Sequence, residues 1–330
     1  MINRESWKLT NMYLEYREMV DQLCGGSLLI EKTHIRYILE WAGERSFKSA
    51  ENFRPTLPEY LLTSRLDGME YRLSADYMRR ILSTARRFFD WLRNNKGGYR
   101  SISQGWISTL KPKRVSDPPK KPDTVSFEYV IDVSAARVEN TLEERIRAAA
   151  IFLFLSGMRI GAFVSLPVKA IDIKAREVMQ FPNIGVRTKN NKYAVTYLWN
   201  IPELIDVIDE WDKKVRKVLS ENGYWFAPFI PGSHEIDSNA ISIGEHRANI
   251  ARKNLIRWTG KVGLSYHKPH AFRYGHIQYG MRNSRDLEEF KAVSMNVMHS
   301  SMATTDEIYS RLRDDDLKAS IDTIGNRQGI

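Results

Sequence analysis

The stretch 111-KPKRVSDPPKKPD-123 limits the possible folds of this chain more than any other. It carries four prolines, five basic residues and no aromatic. Proline lacks a backbone N–H and pushes the residue before it out of the α region, so neither a helix nor a central strand can run through it. It reads as an extended linker, residues 111–126, between a first domain at 1–110 and a second at 127–330. With 330 residues in all, each half can bury its own core. The charge balance shifts across the same stretch. Residues 1–114 hold 20 Lys and Arg against 13 Asp and Glu, whereas residues 115–330 hold 30 against 27.

A net charge of +10 and a pI of 9.5 point to a polyanionic partner, most often nucleic acid. No apolar run approaches the ~18–20 residues that cross a bilayer. The opening MINRESWKLTNMYLEY lacks the basic region, apolar run and cleavage site of a secretory signal. A cytoplasmic protein without membrane association is expected. The single cysteine, Cys24, excludes an internal disulfide framework and a cysteine-rich zinc site.

The first domain reads as helical. Leu9, Met12/Tyr13, Tyr16, Met19/Val20 and Leu23 recur at helical steps, and Ile35, Ile38, Leu39 and Trp41 form a second run. The clearest segment is 74–98, opened by Ser74 and stopped by Gly97. Tyr77, Met78, Ile81, Leu82, Ala85, Phe88, Phe89 and Leu92 fall within an arc of about 140°. Arg79, Arg80, Arg86, Arg87 and Arg93 occupy the other side with a single acid, Asp90. Solvated faces usually mix signs for i,i+4 pairing, so this arginine face is expected to contact a DNA backbone.

The second domain mixes structures. Thr141 and Glu144 have capping-box spacing ahead of an apolar helix at 142–155 that Gly157 ends. Short strands are expected in 171–181 and 186–199, and helices return at 242–260, from Pro269 and from Arg285. The chain is therefore expected to be mainly α with a small antiparallel sheet.

Chemistry concentrates in 156-SGMRIGAFVSL-166, 268-KPHAFRYGH-276 and 299-HSSMATTDEIY-309. Together these resemble the tyrosine recombinase/integrase family. Arg159 stands in SGMRIGA, His270 and Arg273 in HAFR, His299 in MHSS and Tyr309 in EIYSRL, in the family's order and separations. The family's hairpin lysine, in a pattern similar to Gly-Lys-Gly-x-Lys, matches Lys189 in 187-RTKNNKY-193, with Lys192 as the alternative. Both glycines are missing there. Ala162 stands where the family usually has an acid, and Met298 where it has the glycine before the histidine.

The resemblance implies a helical core-binding domain and a mixed catalytic domain of the DNA breaking-rejoining type, closing as a C-shaped clamp on DNA. The opening of the chain on the first-domain pattern implies a member without an arm-site-binding module. The implied activity is site-specific recombination of duplex DNA through a transient 3′-phosphotyrosyl link on Tyr309, in a homotetramer with accessory DNA-bending or directionality proteins. No cofactor and no metal are expected. The tail 310–330 is expected to dock on a neighbouring protomer. Two other readings stay open: type IB topoisomerase-like relaxation, and a DNA-binding factor whose catalysis has decayed.

The chemistry explains why these residue types belong together. A tyrosine with pKa near 10 is only ~0.1% phenolate at neutral pH, and attack on a phosphodiester builds further negative charge. Planar guanidinium groups donate paired hydrogen bonds to phosphate oxygens and stabilise that charge. His267, His270 and His276 could be imagined as metal ligands, but Pro269 breaks the helical spacing and nothing nearby completes a tetrahedral set.

Overall fold

A computed structural model describes residues 1–63, 73–111, 122–240, 244, 246–299 and 303. The chain divides into two compact units, Met1–Pro118 and Pro119–Ile330, so the division falls inside the proline-rich stretch. Most of that stretch, residues 112–121, lies outside the described residues.

The first unit is helical: α1 (Arg4–Met19), α2 (Gly25–Ala42), α3 (Leu57–Thr63), α4 (Ala75–Asn95) and α5 (Gln104–Thr109). Ser74 caps α4, its side chain accepting from the Tyr77 N–H. The apolar arc of α4 buries Met78, Ile81, Leu82, Ala85, Phe88, Phe89 and Leu92, while Tyr77 stays half-exposed. Phe88 and Phe89 meet Tyr13 and Phe47 edge-on, with ring centroids 5.2–5.5 Å apart. That geometry suits the ring quadrupoles.

The arginine face of α4 is less single-signed than the sequence suggests. Arg79 and Arg80 both reach Asp76, at 2.5 and 3.5 Å. Arg87 lies 3.5 Å from Glu31, a carboxylate buried beneath the helix that also accepts the Tyr13 hydroxyl at 2.7 Å. Arg93 donates to Gln104 at 3.3 Å. The expectation of one acid missed Asp76, one turn nearer the N-terminus, and Glu31, which α2 contributes from elsewhere in the sequence.

The second unit is built around α7 (Thr141–Ser156), which follows α6 (Phe127–Ala135) and is buried nearly all round. Its cap is displaced by one residue from the expected box. Asn140, not Thr141, accepts the Glu143 N–H, and the Glu143 carboxylate accepts the Glu139 N–H in return. Helices α9 (Pro202–Val218), α10 (Arg247–Lys261) and α11 (Pro269–Asn283) pack around α7, and α12 (Leu287–Asn296) packs on α11. The start of the expected 242–260 helix, residues 242, 243 and 245, lies outside the described residues.

Between α8 (Ile160–Phe163) and α9 sits an antiparallel sheet in the order β1 (Ile171–Asp172), β2 (Glu177–Gln180), β3 (Ala194–Tyr197). Val178 pairs with Ile171 on one side and Thr196 on the other. The strands are shorter than the sequence runs because a turn at 173–176 splits the first run and 181–193 leaves the ladder in two 3₁₀ turns. Among the described residues no helix is long and apolar enough to cross a membrane.

Candidate active site

Arg159 and His270 each follow directly on a well-anchored turn. Gly157 ends α7 in the left-handed conformation, φ 61°, which glycine adopts without a Cβ clash. A Cβ there would lie 2.7–2.8 Å from His276 and Val297. Arg159 follows two residues later, half-buried at the start of α8. Pro269 occupies the first turn of α11, where its missing N–H costs nothing. His270, Arg273 and His276 then recur at three-residue steps along one face. The series runs from solvent to interior: His270 is exposed, Arg273 2% exposed and His276 fully buried.

Arg273 ties two segments together. Its Nη1 donates to the Gly157 carbonyl at 2.6 Å and its Nη2 to the Val297 carbonyl. Three of its five N–H donors remain. Burial, then the nearby Arg159 charge, lowers its pKa to about 9. Desolvation lowers Arg159 as well.

The histidines register the same charges. His270 lies below its ordinary value through partial desolvation, then through Arg273 and Arg159. His299 is lowered to about 4 by desolvation, then by Arg273, Arg159 and His270. Both imidazoles are therefore neutral at pH 7. Four side chains far apart in sequence, Arg159, His270, Arg273 and His299, thus share one electrostatic environment.

A cleft of about 780 Å³ is lined by Arg159, His270, Lys189 and Met298, while Arg273 and His299 lie behind its wall and do not line it. Lys192 is not among its lining residues. Arg187, Arg252 and Lys268 add three cations to the wall that the sequence reading did not single out. Arg187 and Lys268 flank the recognised motifs and could have been found by adjacency. Arg252 reaches the cleft only through the packing of α10, which no local pattern announces.

The departures from the family pattern have local explanations. In 187-RTKNNKY-193, Asn190 and Asn191 take φ 58° and 50°, the left-handed region where glycine is otherwise favoured. Asparagine tolerates that region better than most residues. Met298 likewise takes φ 56°, so the turn before His299 keeps the glycine-type conformation with a side chain that resists it. Ala162 is buried beside Arg159 in the cleft wall, and among the described residues no carboxylate pairs with Arg159.

His267 and His276 point elsewhere. His267 Nδ1 lies 2.7 Å from Asp123, and His276 Nδ1 donates to the Phe154 carbonyl at 2.8 Å. Among the described residues no three His, Cys, Asp or Glu side chains form a metal-binding group. Tyr309 and the tail 310–330 lie outside the described residues.

No family model matches the chain. It is 26% identical over 310 residues to tyrosine recombinase XerC of Escherichia coli, covering 91% of this chain and 90% of that one. Among solved structures, a lambda integrase dimer bound to a COC′ core site superposes with TM-score 0.63 at 14% identity, over 92% of this chain and 94% of that chain. XerH bound to its difH substrate gives 0.56 at 14% identity, over 92% and 81%. The Tn1549 transposon integrase with circular intermediate DNA gives 0.58 at 14% identity, over 98% and 100%. The fold is thus that of the lambda integrase and Tn1549 integrase structures. Over most of its length the chain is similar to the tyrosine recombinases, of which XerC is one.

Proposed function

We propose that this protein is a site-specific recombinase that cleaves and rejoins duplex DNA through a 3′-phosphotyrosyl link on Tyr309. The observation that carries the reading is that Arg273 holds the Gly157 and Val297 carbonyls, two residues before Arg159 and His299, beside a cleft lined by Arg159, His270 and Lys189.

Arg159, half-exposed on the cleft, donates to the non-bridging oxygens of the scissile phosphate. Arg273 offers its remaining donors and its field from behind. This stabilises the charge that grows in the trigonal-bipyramidal transition state. His299 donates a further N–H as a neutral imidazole. The Tyr309 oxygen bonds to phosphorus as the bond to the 5′ oxygen breaks. The phenol proton passes to neutral His270, and Lys189 gives a proton to the departing 5′ oxygen. The phosphodiester energy is kept in the tyrosyl ester. Attack by a 5′ hydroxyl from another strand reverses every transfer and restores both protonation states. Arg187, Arg252 and Lys268 hold the flanking phosphates, and the exchange runs in a homotetramer on two sites.

A nicked substrate tests the reading, because loss of the short 5′ fragment traps the covalent adduct. The wild type should form it and Tyr309→Phe should not. Arg159→Ala should slow it at least 100-fold, the size of effect seen when one oxyanion donor is removed. Joining between two different duplexes separates recombination from relaxation within one duplex. A wild type that binds the site yet forms no adduct overturns the proposal.

A further inference from the structure

The end of α12 is joined to the sheet by an unusually complete set of hydrogen bonds centred on Asn296. Its Nδ2 donates to the Tyr197 carbonyl at 2.9 Å, and its Oδ1 accepts the Tyr197 N–H at 2.7 Å. The side-chain amide thus pairs with β3 as a neighbouring strand would. Nδ2 also lies 3.3 Å from His276 Nε2. Because the Phe154 carbonyl can only accept, His276 Nδ1 carries the hydrogen and Nε2 is free to accept from Asn296. The Tyr197 N–H can only donate, which fixes the orientation of the amide. All three hydrogen-bonding groups of the Asn296 amide are engaged.

The backbone of the same residue extends the connection. Thr196 Oγ1 donates to the Asn296 carbonyl at 3.2 Å and accepts from Gln180 Nε2 at 2.6 Å. Thr196 is fully buried, and Gln180 lines the cleft where β2 gives way to the segment carrying Lys189. One residue beyond Asn296, the Val297 carbonyl is held by Arg273, and His299 follows.

We propose that Asn296 is a positioning residue that holds the β2–β3 hairpin, and with it Lys189, in register with the Val297–His299 segment that Arg273 anchors. The inference rests on the reading of Lys189 as the acid that protonates the leaving 5′ oxygen. Asparagine suits the place because it offers an acceptor and two donors at backbone spacing. Asn296→Asp keeps size and shape but replaces the donors with a second acceptor facing the Tyr197 carbonyl and the His276 lone pair.

The test compares two nicked substrates, one ordinary and one with sulfur in place of the bridging 5′ oxygen. A thiolate leaves without protonation, so the sulfur substrate does not need Lys189. Asn296→Asp and Asn296→Ala should cleave the ordinary substrate about 100-fold more slowly, the loss expected from a misplacement near 1 Å. DNA affinity should be unchanged, and most of the rate should return on the sulfur substrate, as for Lys189→Ala. Thr196→Val, nearly isosteric, should show the same substrate dependence more weakly and serves if the Asn296 variants fold poorly. Wild-type rates on both substrates, or equal losses on both, would overturn this inference alone. A wild type that forms no adduct would remove the reading beneath it.

Discussion

Gly157 shows how much of the site depends on a residue without chemistry. It must take a left-handed φ, and its α-carbon faces His276 and Val297 with no room for a methyl group. Gly157→Ala would meet both penalties: roughly 1–2 kcal/mol for the left-handed conformation and roughly 1–3 kcal/mol for overpacking. We expect a loss of about 3 kcal/mol in urea unfolding of the second unit. Adduct formation should be impaired beyond that loss, because the Gly157 carbonyl is an anchor for Arg273. A variant as stable and active as the wild type would show that the close approach does not constrain the site. Met298 is the converse case, a side chain in a conformation where glycine would be unstrained.

Helix α11 and the β2–β3 hairpin show why some of this is legible in the sequence and some is not. The three-residue spacing of His270, Arg273 and His276 fixes a common helix face, and Pro269 marks the start, so local pattern suffices. Depth along that face is a different matter. That Arg273 is buried, with two of its donors spent on carbonyls, depends on where Gly157 and Val297 arrive in space. The hairpin is recognisable from its lysines and its alternating runs. Of its two missing glycines, the one at Asn190 misleads because the turn there requires left-handed geometry and not a residue type, while Thr188 is simply extended at φ −84°. Asn296 gives no signal at all. Its partners Tyr197 and His276 are 99 and 20 residues away, and a lone asparagine near a helix end is most often a simple cap. The arginine face of α4 is visible as a pattern, while its neutralisation by Glu31 comes from α2 and is not.

That neutralisation sharpens what the basic first unit should do on DNA. Arg79 and Arg80 share Asp76, and Arg87 leans on Glu31, so a phosphate must compete for them. Replacing Arg79, Arg86 and Arg93 together with Ala should weaken binding on any sequence. The slope of log affinity against log salt should flatten by about 0.9 for each phosphate that the variant no longer neutralises. Arg86 alone should give the largest single change on Asp76's side of the helix. An unchanged slope would return the face to solvent. The acid response of the whole chain follows from its desolvated imidazoles. His276 is lowered to about 3 and His299 to about 4, and His270 and His34 are lowered too, each chiefly by desolvation. A folded-state pKa below the unfolded value of about 6.5 means that the unfolded chain binds more protons in acid. The stability these groups contribute is therefore complete above pH ~6.5 and falls as pH drops toward the folded values. The slope is about 1.4 kcal/mol per pH unit for each histidine fully titrating. Three of the four belong to the second unit, so its urea midpoint should fall more steeply between pH 7 and 5 than that of the first. His276→Gln can still donate to the Phe154 carbonyl and accept from Asn296, but it cannot be protonated, so it should flatten the second unit's decline. Site DNA should flatten it further, since a phosphate in the cleft favours protonated His270 and His299 and lifts their pKa values toward neutrality. If DNA left the acid response of the second unit unchanged, the phosphate would have to sit away from these two imidazoles.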